Sequence, residues 1–181
     1  MSTVLTEEVT SPAAPQGAAN RTRGGKFLTF FLAGEEYGIE ILKVHEIIGM
    51  MAITPVPRTP HFIRGVINLR GKVIPVVDLR LKFGMAAQEQ TSETCIIVVQ
   101  THGIQMGIVV DKVSEVLDIA VQEIEEAPSF GTEVNTDYIL GIGKTQGRVR
   151  ILLDIEKALA SGDVANLSLT GQTEGEENHS S

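Results

Sequence analysis

The 181-residue sequence predicts a mostly β protein made of two small related units, and three observations lead there. Its apolar runs are short, rich in Val and Ile, and broken by Gly, Asn or Pro, at 27–32, 37–42, 73–77, 95–99, 104–110 and 149–153. Runs of that length and composition suit strands better than helices. Only two short helical patterns stand out: Glu40–Ile48, which would set Ile41, Val44 and Ile48 on one face, and a terminal helix at 154–160. The third observation is an internal repeat. Residues 37–47, Tyr-Gly-Ile-Glu-Ile-Leu-Lys-Val-His-Glu-Ile, return at 106–116 as Met-Gly-Ile-Val-Val-Asp-Lys-Val-Ser-Glu-Val. Residues 71–79, Gly-Lys-Val-Ile-Pro-Val-Val-Asp-Leu, return at 147–155 as Gly-Arg-Val-Arg-Ile-Leu-Leu-Asp-Ile, and Gly65 and Gly141 precede them at the same distance.

Taken in order, residues 1–25 read as a flexible arm, because Ser11–Asn20 is small, Pro-containing and aperiodic. Two β units follow, at about 27–85 and 94–155. An isolated unit of about 60 residues buries only about 60% of its extended surface. The two units should therefore share strands or a helix across a common interface, with a groove between them for a ligand or a partner helix. Residues 49–57, Gly-Met-Met-Ala-Ile-Thr-Pro-Val-Pro, have two readings. They form either a strand packed inside the first unit or an edge strand that offers Met50, Met51, Ile53 and Val56 to another protein. Phe130, in a Pro-containing loop, is either a core plug or an interface anchor. Residues 161–181 form an acidic tail and read as flexible.

Composition excludes several classes. With 43% hydrophobic and 21% charged residues the chain can bury a core, so wholesale disorder is ruled out. Acids outnumber bases 23 to 15, for a net charge of -8, which argues against a nucleic-acid partner. No apolar run approaches the roughly 20 residues that cross a bilayer, and the first residues have no secretory pattern, so membrane insertion is not expected. A single cysteine, Cys95, in an apolar run points to a reducing cytoplasm. The charges also separate along the chain. Arg58, Arg64, Arg70, Lys72, Arg80 and Lys82 stand against Asp78 alone, whereas the acids from Asp111 to Asp137 stand against Lys112 alone. These are either solvated faces or a polar surface that orients partners.

Catalytic patterns do not assemble. Gly141-Ile-Gly-Lys-Thr145 has the end of a phosphate-binding loop, but Tyr138 stands where the leading glycine is required. Gly141, Gly143 and Gly147 read instead as a hairpin turn needing positive φ. His45, His61, His102 and His179 lack metal-ligand spacing, and Cys95 has no polar neighbourhood to lower its pKa. No catalytic residue, cofactor or metal is expected.

The blocks Glu36-Tyr-Gly-Ile-Glu-Ile-Leu-Lys-Val-His-Glu-Ile47, Pro60-His-Phe-Ile-Arg-Gly-Val-Ile-Asn-Leu-Arg-Gly71, Val73-Ile-Pro-Val-Val-Asp-Leu-Arg80 and Gly107–Val116 resemble the CheW family, bacterial chemotaxis coupling proteins, over about 26–160. The resemblance implies two SH3-like five-stranded β-barrels around a shared core. It implies a non-enzymatic adaptor between methyl-accepting receptor tips and the regulatory domain of the histidine kinase CheA, in the cytoplasm at membrane-associated arrays. A CheV-like or other two-component regulatory module is the alternative. By resemblance, Val44, Glu46, Gly65 and Arg70 match receptor-binding positions and Phe130 matches a kinase-contacting aromatic; Met50, Ile53 and Val56 are the remaining candidates for the kinase surface. Glu125 departs from the pattern, which has a basic residue there. Glu46 and Arg70, opposite in charge, are expected to form an ion pair near the groove.

Overall fold

The computed structural model describes residues 24–128 and 136–159. Eleven strands occur among them: β1 (Gly25–Leu32), β2 (Glu35–Glu40), β3 (Val44–Gly49), β4 (Ile63–Leu69), β5 (Lys72–Asp78), β6 (Cys95–Thr101), β7 (Ile104–Val110), β8 (Lys112–Ile119), β9 (Ile124–Glu125), β10 (Ile139–Thr145) and β11 (Arg148–Leu153). They build two sheets, ordered β8-β1-β2-β11-β10-β9 and β3-β6-β7-β5-β4. The second sheet has the expected five strands; the first has five full strands plus the two-residue β9.

Neither sheet is made by one unit alone. The first hairpin of each unit, β1–β2 or β6–β7, lies in the sheet formed by the rest of the other unit. Parallel pairing joins them: β2 runs beside β11 with Gly38 opposite Leu152, and β7 beside β5 with Gly107 opposite Val76. Antiparallel pairing closes the other flank, β1 with β8 and β3 with β6.

This exchange explains the continuous apolar runs. A strand with one wet face alternates, but Ile96, Ile97, Val98 and Val99 of β6 are all buried. Ile97 and Val99 face a core shared between the sheets, with Leu28, Phe30, Ile39, Ile108 and Leu153; Ile96 and Val98 face the second sheet's own core, with Ile67, Ile74 and Val76. A smaller cluster of Phe27, Ile119 and Leu152 fills the first sheet.

Four hairpins close with two-residue turns, Ala33-Gly34, Arg70-Gly71, His102-Gly103 and Gln146-Gly147, each with both residues at positive φ. That geometry matches the right-handed twist of the flanking strands. Gly147 therefore fills the expected turn role. Gly141 and Gly143 do not: both lie within β10, as does the whole Gly141–Thr145 string.

The helical reading of Glu40–Ile48 is corrected. Ile41–Lys43 form one 3-10 turn and Val44–Gly49 form β3, paired with β6. A spacing of four residues is one helical turn but also two strand repeats, so the run mimics a helix. The bulge between Val44 and Glu46 then sets Val44, opposite Val99, on the shared core and Ile48, opposite Ile96, on the second sheet's own core. Residues 50–57 are also not a regular strand; a single bridge from Thr54 to Val66 attaches them to β4. The terminal helix is present as Ile155–Ala158, capped by the Asp154 carboxylate, which accepts from the Lys157 N–H. Its counterpart Leu79–Lys82 is capped in the same way by Asp78.

One polar clasp ties the sheets together. Arg80 donates through Nε and Nη2 to the two carboxylate oxygens of Asp111, both at 2.8 Å, and Asp111 also accepts from the Ala33 N–H at 2.8 Å. Partial burial alone would raise the Asp111 carboxyl, but the hydrogen bonds from Arg80 and Ala33 and the Arg80 charge outweigh it and hold the group below its ordinary value. A depressed carboxylate contributes stability above its unfolded pKa and loses it as pH falls through the folded one. Asp111→Asn is therefore expected to cost about 1–3 kcal/mol at pH 7, and urea midpoints of variant and parent should converge as pH falls from about 4 to 2. A constant gap across that range would refute the linkage.

Candidate functional site

Strand β3 carries two of the expected receptor-facing residues. Val44, half-buried, packs on the shared core opposite Val99. A register shift between Val44 and Glu46 breaks the regular ladder with β6. Just before β3, Leu42 is 92% exposed beside the half-buried Ile41, so an aliphatic rim precedes the strand. Lys43 in the same turn bonds Glu156 of the terminal helical turn at 3.0 Å. The hydrogen bond to Glu156 is the main cause that raises the Lys43 ammonium above its ordinary pKa.

Glu46 and Arg70 form the expected ion pair, from Arg70 Nη2 to Glu46 Oε2. Arg70 stands at the tip of the β4–β5 hairpin with φ 53°, where Asn68 Oδ1 also accepts the Gly71 N–H at 2.8 Å. The Arg70 side chain is 66% exposed and that of Glu46 26%, which decides the energetics. Water screens the pair, so its worth is that of a surface contact, about 0–1 kcal/mol.

Gly65 lies on β4, the strand that leads to Arg70, but it is buried and presents no surface. It has φ +139° at a bulge in the β4–β5 pairing, and an added Cβ would collide with the Thr54 carbonyl and lie 2.9 Å from Pro55 Cα. Thr54 and Val66 exchange both backbone hydrogen bonds at 2.9 Å across this point. Glycine is required so that residues 50–57 can close on β4. Gly141 repeats the arrangement in the other unit, with β9 in place of Thr54: a Cβ there would sit 2.8 Å from the Glu125 carbonyl oxygen.

The closed segment 50–57 turns some of its apolar side chains inward. Met50 and Ile53 pack against the second sheet's core and Val56 is half-buried, while Met51 is exposed. Phe130 lies outside the described residues. The basic cluster is largely engaged within the chain: Arg64 with Asp78 at 3.3 Å, Arg70 with Glu46, Arg80 with Asp111, and Lys82 over the Phe62 ring. Arg58 and Lys72 remain exposed. Glu125 pairs with Lys144 at 2.6 Å on the surface. The space between the sheets is filled by the shared core, and a recess lined by Arg64, Asp78, Arg80 and Asp111 has a volume of about 50 Å³, the size for a water molecule or two. Among the described residues no cluster of His, Cys, Asp and Glu could hold a metal, and no helix is long and apolar enough to cross a membrane.

Residue-level reading of the sequence missed the ion pairs that join one unit to the other, among them Arg80–Asp111, Lys43–Glu156 and Glu36–Arg150. The last was signalled by the repeat itself, in which Arg150 occupies the place of the buried Ile74.

These features define a doubled β scaffold whose charged side chains largely fasten its own strands and whose strand β3 meets solvent beside an aliphatic rim. The family model for the CheW-like domain matches residues 26–163, and the chain belongs to that family. It is 45% identical over 147 residues to the chemotaxis protein CheW of Klebsiella aerogenes, covering 81% of this chain and 89% of that protein. It is 34% identical over 145 residues to CheW of Rhizobium meliloti, covering 80% and 94%. The crystal structure of the scaffolding protein TtCheW from Thermoanaerobacter tengcongensis superposes with a TM-score of 0.71 at 38% identity, covering 76% of this chain and 94% of that one.

Two stability measurements follow from the geometry. Glu46→Ala, Arg70→Ala and the double variant should give a coupling energy of at most about 1 kcal/mol by urea denaturation; coupling above about 3 kcal/mol would mean the pair behaves as a buried one. Gly65→Ala should cost at least about 1–3 kcal/mol through backbone strain, and an unchanged midpoint would remove the steric account.

Proposed function

We propose that this chain is a chemotaxis adaptor that joins receptor tips to a CheA-type histidine kinase and carries out no bond chemistry of its own. Membership of the CheW family across residues 26–163 is the observation that carries this reading. Local geometry supports it: Val44 and Leu42 offer aliphatic surface at the start of β3, and Glu46 and Arg70 flank it with an exposed charge pair. A methyl-accepting receptor tip, a helical hairpin, lays its apolar ridge along this strand. Gly65 serves the same surface indirectly, by seating residues 50–57 on β4.

Kinase binding is assigned to the segment with Met50, Ile53 and Val56, together with Phe130. Met50 and Ile53 support this surface from beneath, since both pack on the core, and Met51 supplies its outer face. The working location is the cytoplasm at membrane-associated receptor arrays, with no nucleic-acid partner and no cofactor.

Pull-down of a CheA-type kinase and of a receptor cytoplasmic hairpin by the full chain tests the two surfaces separately. Val44→Met should weaken receptor capture about tenfold or more and spare the kinase, and Phe130→Ser should do the reverse, as expected for interface anchors. Unchanged capture of both partners by both variants would reject the assignment.

A further inference from the structure

Because the two units are copies, each strand has a twin that could stand in its place. The repeat sets β2 against β7 and β5 against β11. In the observed fold β2 lies beside β11, and β7 beside β5. An unexchanged chain, with β2 beside β5 and β7 beside β11, could form equivalent ladders, and each would still bring a glycine, Gly38 or Gly107, to the contact. Backbone hydrogen bonding therefore does not choose between the two arrangements. Side chains must.

Two arginines make the choice. Arg150 of β11 is fully buried; its Nε lies 3.1 Å from Glu36 Oε2 on β2, and its Nη1 donates to the Thr145 carbonyl at 3.2 Å. In the repeat, Ile74 is the twin of Arg150 and Gln105 the twin of Glu36. Without exchange, Arg150 would face Gln105 and bury a charge with no counter-ion, which is costly. Glu36 would face Ile74; it would keep only Lys72, the twin of Arg148, which now reaches Glu36 Oε1 at 3.1 Å. Arg80, with a side chain 12% exposed, is the second. Its partner Asp111 has Leu42 as twin, so an unexchanged Arg80 would meet an aliphatic side chain next to Lys43. Lys43–Glu156 discriminates on one side only: without exchange Glu156 would meet Lys112, the twin of Lys43, whereas Lys43 would lie beside Arg80, the twin of Glu156.

We infer that Glu36–Arg150, seconded by Arg80–Asp111, is a topology lock: it admits only pairing of unlike units and excludes pairing of like units, within one chain or between two copies of it. Its role is specificity of assembly rather than added stability, in keeping with the modest net worth of buried ion pairs.

The test is refolding of the full chain from urea at micromolar concentration, read by size exclusion and by amide resonances. Glu36→Gln with Arg150→Ile writes the twin residues into the first sheet and leaves no stranded charge. This double variant should recover about half or less of the parental yield of native monomer, the remainder appearing as dimer or as a second monomer with its own resonances. Its native fraction should melt within a few degrees of the parent. The reversed pair, Glu36→Arg with Arg150→Glu, made together with Arg148→Gln because Arg148 otherwise lies 3.1 Å from the position of the new arginine, should restore a single species. A double variant that refolds to one native monomer at parental yield overturns the lock, whether or not its melting temperature falls. So does a reversed pair that still refolds to a mixture or does not refold.

Discussion

Neither half of this chain can cover its own sheets, and that constraint organises the rest. The hairpins β1–β2 and β6–β7 leave their own units and complete the opposite sheets, so β6 meets apolar side chains on both faces. Hydrophobic burial drives this assembly but has no direction. Direction comes from backbone ladders, from glycines where strands crowd, and from ion pairs that bridge the units.

The same economy explains where charge goes. An acidic protein with a separate basic stretch looks at first like a molecule with two charged faces. Many of those groups instead fasten strands: Arg64 to Asp78, Arg80 to Asp111, Arg148 and Arg150 to Glu36. On the proposed reading, the surface that meets other proteins lies around β3 and the segment that follows it.

Much of the fold was legible in the sequence because short Val/Ile runs and a repeat in fixed order are direct consequences of two-sided burial and of duplication. The Glu40–Ile48 pattern misled, since spacings of three and four arose from a 3-10 turn joined to a strand, and pairing with β6 overrode local periodicity. In the site, Glu46 and Arg70 could be paired because the family resemblance set both near the groove and their charges are opposite. Glu36 and Arg150 could not, because their contact exists only once strands have been exchanged, although a charged residue at the twin position of Ile74 was a visible sign. The role of Gly65 was hidden for a similar reason: it depends on an irregular segment whose path no periodicity announces.

The exchange of hairpins also bears on how this molecule can be divided. Residues 86–93 connect the two sequence units, yet the halves on either side are interlocked as two hands with fingers laced. Cutting that connection breaks one covalent joint and leaves the grip intact, whereas expressing either half alone exposes the raw flank from which a borrowed hairpin is missing. The smallest piece able to stand by itself is the whole doubled scaffold.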